Sequence, residues 1–137
     1  MAEPEYYEGQ SATTVLNITS QDIDTFAALT GDANPLHMNA GFARRRGFAR
    51  RVAHGTLLCG YVSGIFGMQL PGDRCLMHSI KATFSAPAYE GDEIRITVII
   101  AQVSLALGAL IANFTIERVT TGQQLVKGQA QLGLTQV

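Results

Sequence analysis

The sequence has no tryptophan, only two cysteines, and a net charge of -1 from ten basic and eleven acidic residues. Without an overall positive charge to attract a polyanion, the composition argues against a nucleic-acid partner. Cys59 and Cys75 lie sixteen positions apart, which is neither the close spacing of a metal site nor the density of a secreted disulfide scaffold. We therefore expect two buried free thiols and no bound metal.

Long apolar runs are also missing. The longest apolar segment, residues 55–70, is rich in glycine and shorter than the roughly 20 residues that a membrane span needs. Residues 1–9 carry three glutamates and no basic or long apolar stretch, so they do not resemble a signal peptide. These features predict a cytoplasmic protein with no membrane partner.

The chain length fits one domain. A division of the 137 residues would leave each half with a poor core, so we predict a single domain over 1–137 with a loose N-terminal lead-in at 1–9. The hydrophobic share of 47% against 15% charged residues indicates a surface that is partly buried in an oligomer.

The first half of the chain predicts a strand followed by helices. A β-rich run at 12–18 precedes a helix that starts after Thr19 and ends at Gly31, then a loop at 32–39 and a short basic helix at 40–46. The segment 54–70 is apolar around nearly its whole circumference, which is typical of a buried helix. Its glycines Gly60, Gly64 and Gly67 form a stripe that we expect a neighbouring backbone to approach closely.

The second half predicts four strands, at about 74–86, 92–104, 109–120 and 123–135, separated by turn signals. Three of them alternate apolar and polar residues, so each has one buried side. One buried helix and an antiparallel sheet with one wet face pack most simply as an α+β hot-dog fold, in which the sheet wraps around the helix. Edge-to-edge dimerisation would hide the edge strands.

Residues 30–37, Thr-Gly-Asp-Ala-Asn-Pro-Leu-His, form the densest cluster of polar side chains. In an extended chain Asp32 and His37 would lie about 17 Å apart. The Asn34-Pro35 dipeptide favours a turn that can bring both groups to one water molecule. An imidazole titrates near pH 6.5 and can take and return a proton in one turnover, so the two residues are a candidate acid–base pair.

The segment 26–37, Phe-Ala-Ala-Leu-Thr-Gly-Asp-Ala-Asn-Pro-Leu-His, resembles the hydratase motif of the R-specific enoyl-CoA hydratases of the MaoC-like family. Three further segments are similar to those of the family. Residues 52–58 resemble its entry to the central helix, and Ser63-Gly64 followed by residues 69–72 resemble the end of that helix. Phe84, Pro87 and Gly91-Asp92 resemble its strand-turn motif. The resemblance covers the chain from about residue 9 to its last residue.

This resemblance implies a hot-dog homodimer that adds water reversibly, in syn fashion and with R specificity, to a trans-2-enoyl thioester. Asp32 and His37 would be catalytic, the Gly55 N–H would face the thioester oxygen, and the substrate-binding residues would be Asn34, His54, Ser63 and Phe84. We expect His54 to cap the helix or to orient the loop. No resident cofactor is implied, because coenzyme A or phosphopantetheine is part of the substrate.

Three alternatives remain at this point: a dehydratase acting on acyl chains bound to a carrier protein, a hot-dog thioesterase, and a non-catalytic acyl-binding partner.

Five arginines could contact coenzyme A phosphates or an acidic acyl carrier protein. They are Arg44, Arg45, Arg46, Arg50 and Arg51. Arg51 stands where the family usually has proline. This departure affects the entry to the expected oxyanion loop or marks a different thioester carrier.

Overall fold

A computed structural model describes residues 4–137. The elements follow in the order β1 (Ser11–Asn17), α1 (Ser20–Thr30), α2 (Pro35–Met38), α3 (Ala40–Arg45), α4 (Gly55–Met68), β2 (Cys75–Phe84), β3 (Glu93–Ser104), β4 (Ala109–Arg118) and β5 (Gln124–Leu134). The five strands form one antiparallel sheet in the order β1-β3-β4-β5-β2. All five predicted strands are present, with ends shifted by two residues at most.

The alternation in β3, β4 and β5 determines which face of the sheet is buried. In β3, Ile94, Ile96, Val98 and Ile100 are all inaccessible to solvent or nearly so, and the alternate residues of β4 and β5 continue the same face. This face packs against the buried side of α4 in one hydrophobic cluster. The arrangement is the one predicted from the sequence, a sheet with one wet face around a central helix.

The buried side of α4 is narrower than its sequence predicts. Leu58, Val62 and Phe66 belong to the core, whereas Met68 is 84% exposed. A Cβ atom built on any of Gly60, Gly64 and Gly67 meets no atom of the described chain within 4 Å. The prediction that the sheet approaches these glycines is therefore wrong, because they lie away from the core side of the helix.

The lead-in is not loose over the part that the structure describes. Glu5 forms an ion pair with Arg74 at 2.7 Å, and the hydroxyl of Tyr6 donates to the carbonyl of Pro71 at 3.0 Å. The N–H of Gly9 donates to the carbonyl of Ile100. These contacts correct the prediction for residues 5–9, and residues 1–3 lie outside the described residues.

The two cysteines are free, as predicted, but they are half-buried and not fully buried. Desolvation raises the pKa of the Cys59 thiol above its ordinary value, and it does the same for Cys75.

Among the helices of residues 4–137, none is long and apolar enough to cross a bilayer.

Candidate active site

The segment between α1 and α2 turns sharply at Gly31. The Thr19 hydroxyl accepts from the N–H of Asp22 at the start of α1, and Gly31 ends the helix in the left-handed region with φ of 80°. Its N–H donates to the carbonyl of Ala27 at 2.8 Å. Because glycine adopts this conformation without steric cost, the chain can leave the helix abruptly and present Asp32 directly afterwards.

The predicted loop at 32–39 contains a one-turn helix, α2, that the sequence analysis missed. Asn34 caps it, with its side-chain oxygen accepting from the N–H of Leu36 at 3.0 Å, and Pro35 occupies its first position. Proline is favoured there because its missing N–H would have no partner and its φ is already helical. The turn places His37 back beside Asp32.

Asp32, His37 and His54 form one cluster. Each offers a side-chain nitrogen or oxygen, and these atoms lie within 4.8 Å of one another. Two hydrogen bonds of ordinary length, each about 2.7–3.0 Å, can span such a gap through a single water molecule. Asp32 is exposed, His37 is half-buried and His54 is buried, so the cluster runs from the surface into the core.

The ring of His37 is held by the backbone of the chain. Its Nδ1 lies 2.6 Å from the carbonyl oxygen of Val52. Since a carbonyl oxygen only accepts, Nδ1 must carry the hydrogen, and the neutral ring then has its lone pair on Nε2. This tautomer leaves one nitrogen of His37 free to accept a proton from a bound water molecule.

His54 contacts both Asp32 and His37. Its Nε2 donates to the backbone carbonyl of Asp32 at 2.9 Å, and its ring stacks on that of His37 with centroids 3.9 Å apart and planes at 28°. The ring of Phe26 packs against the His54 ring, with centroids 4.7 Å apart. His54 orients the loop in this way, although its side chain makes no cap hydrogen bond to α4.

The burial of His54 weighs against its predicted contact with substrate, which stays a prediction. The residue is 1% exposed, and Nδ1 is buried without a hydrogen-bond partner in the part of the chain that the structure describes. An imidazole enclosed by Phe26 and His37 cannot reach a ligand unless these neighbours move. The structure therefore makes His54 a support of Asp32 and His37.

His37 and Gly55 line the same cleft, which has a volume of about 400 Å³. Val52, Leu58, Phe84 and Pro87 contribute to its largely apolar wall. Gly55 is the first residue of α4, and its N–H has no acceptor among residues 4–137. Unpaired N–H groups at a helix start favour negative charge, so the cleft combines an imidazole with a site for an oxyanion.

A side chain at position 55 would also be too close to a neighbouring residue. A Cβ atom built there would lie 3.0 Å from two carbons of the Phe84 ring. Phe84 is 48% exposed and belongs to the cleft wall, so it occupies a position in which it could contact a ligand. Sequence reasoning identified both residues but not their contact.

Two other predicted binding residues are placed less favourably. The side-chain oxygen of Asn34 is engaged in capping α2, and Ser63 is exposed on α4 and outside the residues that line the cleft. Their roles in substrate binding stay predictions.

A buried carboxylate helps to fix the segment that contains Pro87, one of the cleft residues. Asp92 is 6% exposed and forms ion pairs with Arg118 at 3.0 Å and Arg50 at 3.1 Å. It also accepts from the N–H of Tyr89, and Arg118 donates to the carbonyl of Pro87. Because a buried carboxylate is stable only when its charge is compensated, these contacts hold the segment before β3 in one conformation.

Three ligating groups in one cluster would be the minimum for a metal site. However, His37 Nδ1 and His54 Nε2 are already bonded to backbone carbonyls, and His54 Nδ1 is buried. The residues present fit a bound water molecule better than a metal ion. The expectation of no bound metal stays a prediction.

The chain is similar to several known proteins. A family model described as "MaoC like domain" matches residues 5–123. The chain is 33% identical over 123 residues to an (R)-specific enoyl-CoA hydratase of Rhodospirillum rubrum, spanning 90% of this chain and 84% of that protein. It is 35% identical over 127 residues to an (R)-specific enoyl-CoA hydratase of Aeromonas caviae, spanning 92% and 93%.

The solved structure of an (R)-hydratase from A. caviae involved in PHA biosynthesis superposes with a TM-score of 0.89 at 30% identity, covering 94% of this chain and 97% of that one. This match confirms the predicted α+β hot-dog fold.

The ring contacts predict a defined pair of tautomers. Long-range ¹H–¹⁵N correlation spectra at a pH where the rings are neutral should show hydrogen on Nδ1 of His37 and on Nε2 of His54, because each of these atoms faces a carbonyl oxygen. His78, whose Nδ1 lies 3.2 Å from the Gln131 side chain, serves as the exposed comparison. Hydrogen on Nε2 of His37 in the neutral ring would contradict the site geometry.

Proposed function

The chain belongs to the MaoC-like hydratase and dehydratase family, and we propose that it catalyses the reversible, R-specific addition of water to a trans-2-enoyl thioester. The observation that carries this proposal is the placement of Asp32 within 4.8 Å of His37, which lines the same cleft as Gly55. Acid, base and oxyanion donor are the three groups that this reaction requires.

In the proposed mechanism, Asp32 and His37 hold one water molecule between them. As its oxygen attacks C3, one member of the pair takes a proton, and a proton returns from the pair to C2. Each such proton transfer is typically worth about 10²- to 10⁴-fold in rate. Because both groups act from one side of the double bond, the addition is syn.

Attack at C3 moves negative charge onto the thioester oxygen. The N–H of Gly55 is proposed to stabilise that charge, since it lies at the N-terminal end of α4 and is free to donate. One preorganised donor of this kind lowers the activation free energy by about 3 kcal/mol. The apolar wall formed by Leu58 and Phe84 would hold the acyl chain.

We propose a coenzyme A thioester as the substrate. The relatives are named enoyl-CoA hydratases, and Arg44, Arg45 and Arg46 are exposed shortly before Phe48, a cleft residue. Exposed guanidinium groups on a segment that leads to the cleft suit the phosphates of coenzyme A. The predicted cytoplasmic location and the predicted independence from a resident cofactor stay predictions.

We also propose a homodimer that pairs through β2. Within residues 4–137 this strand pairs with β5 alone, so its other edge is open there, and it exposes Leu76, Ile80 and Phe84 at 36–59%. An open edge with apolar side chains favours pairing with another strand, and antiparallel pairing of two β2 strands would bury these groups. Phe84 belongs to both this edge and the cleft, so the pairing would border the active site.

The acid–base pair is tested with crotonyl-CoA. Asp32→Asn and His37→Ala should each lower kcat by at least about 10²-fold, with circular dichroism unchanged, because each removes one partner of the water molecule. The wild type should form the R product. Asp73→Asn, which alters an exposed carboxylate elsewhere, should keep kcat within about 2-fold.

Near-normal turnover in either Asp32→Asn or His37→Ala would refute the pair. Release of free thiol without hydration would instead indicate a thioesterase, and no turnover by the wild type on enoyl thioesters of several lengths would indicate a non-catalytic binder.

The contact between Gly55 and Phe84 predicts a rescue. Gly55→Ala should lower kcat/KM by about 10-fold or more, because the added methyl group displaces the aromatic ring into the cleft. Gly55→Ala combined with Phe84→Leu should regain much of that loss, since leucine leaves room for the methyl group. Equal activity of the single and double variants would mean that this contact does not shape the site.

Dimerisation through β2 is tested by light scattering. The wild type should have twice the chain mass of 14.7 kDa at micromolar concentration. Ile80→Lys should give the monomer mass, because a lysine on a strand edge opposes pairing. A monomeric wild type, or a dimer that Ile80→Lys leaves intact, would contradict this interface.

A further inference from the structure

The side chain of Arg51 contacts the backbone of His37, one member of the acid–base pair. Its side chain is only 12% exposed, and Nε donates to the backbone carbonyl of His37 at 2.6 Å. Nη2 donates to the carboxylate of Asp24 on α1 at 2.5 Å. Arg51 therefore connects the His37 backbone to α1.

His37 is thus held from two directions by consecutive residues. Val52 accepts from its ring Nδ1, and Arg51 donates to its carbonyl, both at 2.6 Å. The segment that supplies these contacts is itself fixed: the N–H of Val52 donates to the Leu36 carbonyl at 3.2 Å, and the carbonyl of Arg51 accepts from the N–H of Glu90 at 3.0 Å. An arrangement with this many constraints leaves the imidazole little freedom.

Arg51 is poorly placed for the role that its neighbours could have in binding phosphate or a carrier protein. It does not line the cleft, and its Nε and Nη2 are bonded within the chain. Arg44, Arg45 and Arg46 are exposed, in contrast. The departure from the family's usual proline at position 51 therefore does not by itself indicate another carrier.

We propose that Arg51 is a positioning residue that fixes the His37 backbone against α1 and so maintains the geometry of His37 relative to Asp32. The guanidinium group suits this role because its planar fork directs donors to a carbonyl and a carboxylate at once. Lysine carries the same charge as a single point and cannot reproduce both directions. The inference rests on the proposed hydratase function.

The test compares Arg51→Ala with Arg74→Ala. Arg74 makes the same pair of contacts at a distant place, with Nε donating to the Thr135 carbonyl at 2.8 Å and Nη1 to the Glu5 carboxylate at 2.7 Å. With crotonyl-CoA, Arg51→Ala should lose about 10- to 100-fold in kcat while KM changes by less than about 3-fold, because a displaced catalytic group slows the reaction without altering the cleft. Arg74→Ala should keep kcat within about 2-fold.

Two further variants separate positioning from charge. Arg51→Lys should recover only part of the lost kcat, and Asp24→Asn should lose less than Arg51→Ala because the bond to the His37 carbonyl remains. If Arg51→Ala does not fold, these two variants carry the test. Unchanged kcat per folded molecule in the Arg51 variants, or an equal loss in Arg74→Ala, would overturn the proposal.

A second measurement does not depend on activity. The Nδ1–H proton of His37 should give a shifted or broadened NMR signal in Arg51→Ala or Arg51→Lys and an unchanged signal in Arg74→Ala. If the wild type fails to hydrate crotonyl-CoA, the proposed function fails while this signal still judges the positioning role. If the wild type is active and the signal is the same in all variants, only the role of Arg51 fails.

Discussion

The hydrogen bond from His37 Nδ1 to the Val52 carbonyl, 2.6 Å long, is the contact on which the candidate active site depends. It joins the turn after α1 to the segment that enters α4, so the imidazole and the free N–H of Gly55 are placed by one short stretch of chain. It also selects the tautomer of His37, since a carbonyl can only accept. The position of the His37 ring and its capacity to accept a proton therefore both follow from this hydrogen bond.

Burial changes steeply across the site, and this gradient suits the proposed chemistry. Asp32 meets solvent, whereas His54 is enclosed behind it and bonds to the Asp32 carbonyl. A rigid interior support lets the carboxylate stay hydrated without losing its position. In the proposed dimer, an acyl chain in the cleft and a second copy at β2 would displace bulk water, and electrostatic contacts there would strengthen as the local dielectric falls.

The sequence predicted the parts of the fold that follow from regular patterns. A two-residue period shows directly which face of β3 is buried, and Thr19 and Gly31 are recognisable helix limits. It also brought Asp32 and His37 together, because Asn34-Pro35 marks a turn. The one-turn helix α2 was missed because four residues are too few for a helical period to be recognised.

Other features could not be predicted because they depend on the direction of side chains in the folded chain. Any residue offers a carbonyl, so nothing in the sequence singles out Val52 as the acceptor for His37. Arg51 was grouped with its neighbours as part of a basic patch, yet its guanidinium group turns inward to the His37 carbonyl. Gly60 and Gly64 had the spacing of a packing stripe, but the stripe lies away from the core.

The central claim is that a carboxylate and an imidazole act on one water molecule from one face of the substrate. Hydration of crotonyl-CoA in D₂O, followed by NMR of the 3-hydroxybutyryl product, measures this directly. The account predicts the R configuration at C3 and a single deuterium at C2, added to the same face as the hydroxyl group. Deuterium on the opposite face, or divided between both faces at early times, would contradict it.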